Sequence, residues 1–175
     1  MTVVATMQDV RHFALAKHEG QVRTHDGKPY ITHLDGVATI LREYGYTAPE
    51  IIAAAFLHDT LEKTDTALEE LIEKFGMSVA ELVFWLTDTE QGSAEARALQ
   101  AAWRLSRAPW NAKLIKLADI IDNGTAIIMC NPDFGPTFLD EKRLQLKKMA
   151  EVENSRLLRL PLFQKAAFVT ESASL

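Results

Sequence analysis

The chain has 175 residues, 47% of them hydrophobic and 25% charged, with a formal net charge of −5. That is the size and balance of one globular domain, read here as residues 1–175. The negative charge argues against a nucleic-acid polymer as partner, no apolar run is long enough to span a membrane, and a lone cysteine, Cys130, excludes an internal disulfide or a cysteine-based zinc site. Without a basic-then-apolar leader pattern, a cytoplasmic location is the expectation.

In chain order the signals are helical. Met7 to His18 carries Val10, Phe13, Ala14 and Leu15 at helical spacing, with Gly20 beyond it. A loop marked by Asp26-Gly27 and Lys28-Pro29 follows, and Ile31-Thr32-His33 leads into a second helix that Gly45 ends. Pro49 suits the first turn of a third helix, expected to run unbroken to about Lys63. Thr66 and Glu69 have capping-box spacing for a fourth, and Ser78 is the expected cap of a fifth. Asp88 to Ser93 is polar and reads as a mobile loop. Ala94–Arg107, Lys113–Met129 and Phe134–Glu151 are further helices, with Asn131-Pro132 as a stop. The segment after Pro161 has no clear period, and Thr170 to Leu175 reads as a frayed tail. No window alternates in the strand manner, so the expected fold is all-α, a bundle of roughly eight helices. Cys130 and the tryptophans Trp85, Trp103 and Trp110 are expected in the core.

Some polar residues do not belong on apolar helix faces. Ala53-Ala54-Ala55-Phe56-Leu57 turns directly into His58-Asp59, and an unsatisfied polar group buried there costs roughly 2–7 kcal/mol. Adjacent helical residues are about 100° apart, so His58 and Asp59 converge on one ion only if other helices supply further ligands. Glu62 lies one turn along, placed to touch water at such an ion. Asp119 sits among Leu117, Ala118, Ile120 and Ile121, with Lys116 and Asn123 on the same stripe. Taken alone, Lys116 reads as a solvated lysine. Two imidazoles with two carboxylates suit manganese, iron or zinc.

Four blocks carry a family resemblance: His18-Glu19-Gly20-Gln21-Val22-Arg23, Pro29-Tyr30-Ile31-Thr32-His33, Ala54-Ala55-Phe56-Leu57-His58-Asp59-Thr60-Leu61-Glu62, and Lys116-Leu117-Ala118-Asp119 with Asn123. In this order they resemble the HD-domain phosphohydrolases of the RelA/SpoT branch, most of all the free-standing small alarmone hydrolases. The resemblance implies a (p)ppGpp 3′-pyrophosphohydrolase using one Mn²⁺ and a small nucleotide substrate. His33, His58, Asp59 and Asp119 match the metal ligands, and Glu62 the first of two catalytic acids. Arg23 matches a residue that packs on guanine and Asn123 one near the ribose. Tyr30, beside His33, and Lys116 are further candidates at the substrate.

The family's second acid is here Lys63, a charge reversal at a catalytic position. Lys63 binds a substrate phosphate, or pairs with Asp59 or Glu62 and slows the enzyme, or marks a different substrate such as an NADPH 2′-phosphate or a nucleoside polyphosphate. A catalytically weakened nucleotide-binding protein is the other class this residue raises. Ile120 and Asp122 also depart from the arginine and histidine of bifunctional relatives, and Thr24 replaces a common second basic residue. Lys28, Arg97, Arg104, Lys113, Lys116 and Arg143 are the basic candidates for the polyphosphate.

Overall fold

A computed structural model describes residues 5–131, 133 and 135–172. They form α1 (Met7–Lys17), α2 (Ile31–Glu43), α3 (Pro49–Leu57), α4 (Thr60–Lys63), α5 (Leu68–Phe75), α6 (Met77–Leu86), α7 (Ala94–Arg107), α8 (Trp110–Cys130), α9 (Gly135–Glu153), α10 (Ser155–Leu158) and α11 (Pro161–Glu171). Among the described residues the only β-pairing is an isolated bridge between Val22 and Pro29, which closes the loop before α2. The all-α expectation holds, with more helices than the eight expected.

The extra helices have two sources. The expected Pro49–Lys63 helix breaks in two at His58-Asp59. Leu57 O accepts a hydrogen bond from Thr60 Oγ1, and Ala55 O faces His58 Nδ1 at 2.8 Å. Side chains thus satisfy carbonyls that the backbone ladder would otherwise use, a local competition that ends helices. The tail is helical as well: Pro161 opens α11, whose Leu162, Phe163, Ala166 and Val169 are buried. Thr170 is buried inside α11, so the expected fraying does not begin there; residues 173–175 lie outside the described set. The expected start at Phe134 and the stop at Pro132 also fall outside it.

The core is built around α3 and α8. Every residue from Ile51 to Leu57 is buried, and the three alanines let neighbouring helices approach closely. The 21-residue α8 packs against α2, α3, α6, α7, α9 and α11. Where it meets α11, a Cβ on Gly124 would overlap Val169 Cγ1, so a glycine is needed for that contact.

Several local expectations are corrected. Thr66 forms no capping box; its hydroxyl bonds to Thr64 Oγ1 at 2.7 Å, and Ala67 precedes α5 without a side-chain cap. Gly76, at φ +88°, starts α6 in place of Ser78 and also ends α5. Cys130 is exposed, because it is the last residue of α8, beside an exposed Met129. Trp103 is 44% exposed on α7, with Arg107 and Lys148 over its ring. The 88–93 loop is pinned by Arg104, which binds Asp88, the Trp85 carbonyl and, at 2.6 Å, Glu90 Oε1. No helix among the described residues is long and apolar enough to cross a membrane.

Candidate metal centre

Two helices and one break in the chain bring four polar side chains close together. His33 comes from the first turn of α2, His58 and Asp59 from the α3–α4 break, and Asp119 from the middle of α8. The break resolves the geometry of the adjacent pair. Asp59 has left the α3 helix (φ −98°, ψ −3°), so its carboxylate swings toward the ring of His58. His33 Nε2 lies 3.3 Å from both His58 Nε2 and Asp119 Oδ1. His58 Nε2 lies 3.7 Å from Asp119 Oδ1, and Asp59 Oδ2 lies 3.6 and 3.4 Å from the two Nε2 atoms. All four residues are buried.

The hydrogen bonds on the far side of each ring decide what the cluster can hold. Ala55 O can only accept, so the His58 Nδ1 that faces it at 2.8 Å carries the proton. His33 Nδ1 faces Asp122 Oδ2 at 2.7 Å and donates to that carboxylate. With Nδ1 of each ring tied to an acceptor, both rings turn Nε2 inward, toward each other and toward Asp119. A donor N–H tied to carbonyl or carboxylate is the arrangement that orients imidazole for a cation. Lone pairs 3.3 Å apart beside a buried carboxylate repel unless a positive charge lies among them. His33, His58 and Asp119 offer three ligand atoms within 4.8 Å of one another, and this donor set fits a divalent metal.

The charge balance points the same way. Burial drags the His33 imidazole down, but Asp119, Asp122 and Asp59 outweigh it and raise it to about 9. Burial raises the Asp59 and Asp119 carboxyls, yet His58, Lys63 and Lys116 hold both below the usual carboxylate range. The centre is electronegative and draws either a proton or a metal.

Around the ligands lies a ring of supports. Tyr30 donates its hydroxyl proton to Asp59 Oδ2 and accepts from Lys63 Nζ at 2.6 Å, while its ring stacks on His18. Lys63 Nζ also lies 3.0 Å from Asp59 Oδ2. Of the three readings of Lys63, the structure displays the pairing with Asp59. Lys116 is buried, not solvated, and its ammonium sits 2.8 Å from Asp119 Oδ2. Asn123 Nδ2 donates to Asp119 Oδ1 at 2.7 Å. Glu62 stands apart from the ligands: with the helix broken, its Oε2 accepts from the Asp88 N–H at 3.0 Å. Of the basic candidates, Lys113 is buried against Glu153, Arg104 serves the loop, and Arg143 pairs with Asp140.

Arg23 is buried, with Nη2 2.7 Å from Asp122 Oδ2. Its guanidinium lines a cavity of about 550 Å³ with Tyr30, His33, Lys63, Asn123 and Phe138. Asp122 is the residue that sequence reasoning passed over. One carboxylate oxygen holds both Arg23 and His33, joining the wall of that cavity to the metal cluster. The signals were a second acid three residues after Asp119 on the same α8 face, and Gly36 inside α2. A Cβ on Gly36 would overlap Asp122 Oδ1, so the glycine is the space in which this carboxylate sits.

Comparison with known proteins places the chain in a family. The HD-domain family profile matches residues 11–123. A zebrafish (Danio rerio) protein named guanosine-3′,5′-bis(diphosphate) 3′-pyrophosphohydrolase MESH1 is 40% identical over 131 residues, 74% of this chain and 73% of that one. The human protein of the same name is also 40% identical, over 132 residues, with the same shares covered. A guanosine-3′,5′-bis(diphosphate) 3′-pyrophosphohydrolase of Aquifex aeolicus is 36% identical over 145 residues, 81% of this chain but 19% of that longer one. A solved structure described as a metazoan orthologue of SpoT that hydrolyses ppGpp superposes with a TM-score of 0.83 at 26% identity, covering 98% of this chain and 97% of its own.

Proposed function

This chain belongs to the HD-domain family, and we propose that it hydrolyses the 3′-pyrophosphate of guanosine tetra- and pentaphosphate. Water adds to the attacked phosphorus, the bond to the ribose 3′-oxygen breaks, and GDP or GTP leaves with a 3′-hydroxyl beside pyrophosphate. The observation that carries this reading is the convergence of His33, His58 and Asp119, with Asp59 Oδ2 3.4–3.6 Å from the two Nε2 atoms, which both turn inward.

We assign these four residues as ligands of one divalent cation and take Mn²⁺ as that ion. Bound there, it supplies Lewis acidity, offsetting charge on the phosphoryl group and lowering the pKa of water. The protein's own groups do the rest. Asp122 and Ala55 O fix the two imidazole tautomers. Tyr30 and Lys63 hold the Asp59 carboxylate, and Lys116 and Asn123 hold that of Asp119. Glu62, fixed through one oxygen by the Asp88 N–H, orients and deprotonates water with the other. Arg23 presents its guanidinium to the nucleoside in the cavity it shares with Asn123.

The pairing of Lys63 with Asp59 supports a slower variant of the family reaction, because an ammonium shares the carboxylate that the metal needs. The test is a substrate panel with purified protein and Mn²⁺. Stoichiometric GDP and pyrophosphate from ppGpp are the expected products. Metal binding without ppGpp turnover, together with hydrolysis of NADPH or another nucleoside polyphosphate, would replace this substrate with that one.

A further inference from the structure

The end of α1 reaches the metal centre through a side chain that supplies no ligand atom. α1 packs against α3, and its C-cap residue His18 is 3% exposed. The imidazole lies on the Tyr30 ring, with centroids 4.7 Å apart and planes 19° from parallel. His33 meets the same phenol edge-on, at 5.7 Å and 71°. Tyr30 is thus bracketed by two imidazoles, and its hydroxyl is aimed at Asp59 Oδ2. Burial, reinforced by the charge of Asp59, pushes the phenol far above its usual range, so it stays a donor.

Gln21, three residues on, fixes the imidazole and ties it to the α4 turn. Lys63 O can only accept, so the amide Nε2 of Gln21 is the group that faces it, at 2.9 Å. That leaves Gln21 Oε1 toward His18 Nδ1 at 2.8 Å, and Nδ1 carries the proton. The backbone carbonyl of Gln21 accepts from the Tyr30 N–H at 2.9 Å, beside the Val22–Pro29 bridge. One residue therefore holds the main chain at Tyr30 and at Lys63, whose side chains meet on Asp59 Oδ2. With its proton on Nδ1, His18 keeps Nε2 buried and without a hydrogen-bond partner among the described residues. Burial holds the ring below the usual imidazole range, so it is neutral. A dry acceptor costs stability, and a leucine would fill the same space without one. What the imidazole adds over a leucine is a flat face for Tyr30 and a donor for Gln21.

We propose that His18 is a positioning residue for Asp59, acting through the Tyr30 ring and held in register by Gln21. The assignment rests on the metal reading above, in which Asp59 is a ligand. The contacts run from the His18 face to the Tyr30 ring, and from the Tyr30 hydroxyl to Asp59 Oδ2. Without the stack the phenol is free to turn, and its hydroxyl leaves the carboxylate. Oδ2 is then held by Lys63 alone, 3.0 Å away, whose ammonium competes with a divalent cation for that oxygen.

The test is a double-mutant cycle read as Mn²⁺ affinity in a competition titration, which needs no turnover. Tyr30→Phe keeps the ring and removes the hydroxyl, and is expected to weaken Mn²⁺ about 10-fold, the lower end for loss of a ligand's outer partner. His18→Leu is expected to weaken it by up to about 10-fold, and His18→Phe, which restores a flat face, to recover most of that loss. In the Tyr30→Phe background, His18→Leu changes affinity by less than about twofold, because the hydroxyl it positions is already gone. A histidine that only supports the fold gives the same loss in both backgrounds, and that result overturns the proposal. Unchanged affinity in His18→Leu or in Tyr30→Phe overturns it as well. Should His18→Leu not fold, His18→Met takes its place in the cycle with the same expectations. A wild-type chain that binds no Mn²⁺ overturns the metal reading and this assignment together, whereas wild-type binding with an additive cycle overturns this assignment alone.

Discussion

The two sides of the metal cluster are built differently. On the α2–α8 side, His33, Asp119 and Arg23 are buried and Asp122 half-buried, and each is fixed by a hydrogen bond of 2.7 Å, within α8 for Asp119 and between distant segments for the others. On the α4 side, Glu62 and Lys63 are exposed, belong to a single helical turn, and meet a loop held by Arg104. The first side is set by helix packing and tolerates little change. The second is set by contacts between short segments, where rates and specificity can drift without loss of the fold.

Removing a ligand tests the packed side most severely. His58→Ala or Asp119→Ala is expected to abolish bound metal, measured by elemental analysis, and to take hydrolysis to background. Asp119→Ala also leaves Lys116 buried without its partner, so a lower melting temperature accompanies it. Retention of stoichiometric metal in either variant would break the contrast at its strongest point.

The next largest effect is expected at Asp122, which supplies no ligand atom but orients the ring of His33. Asp122→Ala frees Arg23 and removes the acceptor of His33 Nδ1. Metal affinity should fall about 10- to 100-fold in a competition titration, the usual cost of losing such an outer partner. Nucleotide KM should rise in parallel because Arg23 loses its anchor. An effect on metal alone would separate the Arg23 cavity from the cluster.

On the exposed side the expected change is smallest. Lys63→Met removes a positive charge 3.0 Å from Asp59 Oδ2, so affinity for a divalent cation rises. The gain is up to about fivefold, matching the ~1 kcal/mol of a part-exposed ion pair. A loss of affinity would mean that Lys63 is required to position Asp59, and the two sides would then be equally constrained.

Much of this molecule was legible in the chain itself. The helical periods and the proline at the start of α3 follow from local pattern, and the family resemblance implied His33, His58, Asp59 and Asp119 as one ligand set. The demand for a cation also follows from local pattern, since buried carboxylate and imidazole on apolar helices need one. Only the structure displays that α3 breaks after Leu57, where the side chains of His58 and Thr60 take carbonyls of the preceding turn. Tertiary packing decided that Lys116 is buried against Asp119 and that Asp122 joins Arg23 to His33 through space left by Gly36. Arg23 and Asp122 are 99 residues apart, as are no two groups that a helical period can relate. A period reports which face of a helix is apolar; which groups meet across two faces depends on how the helices are packed.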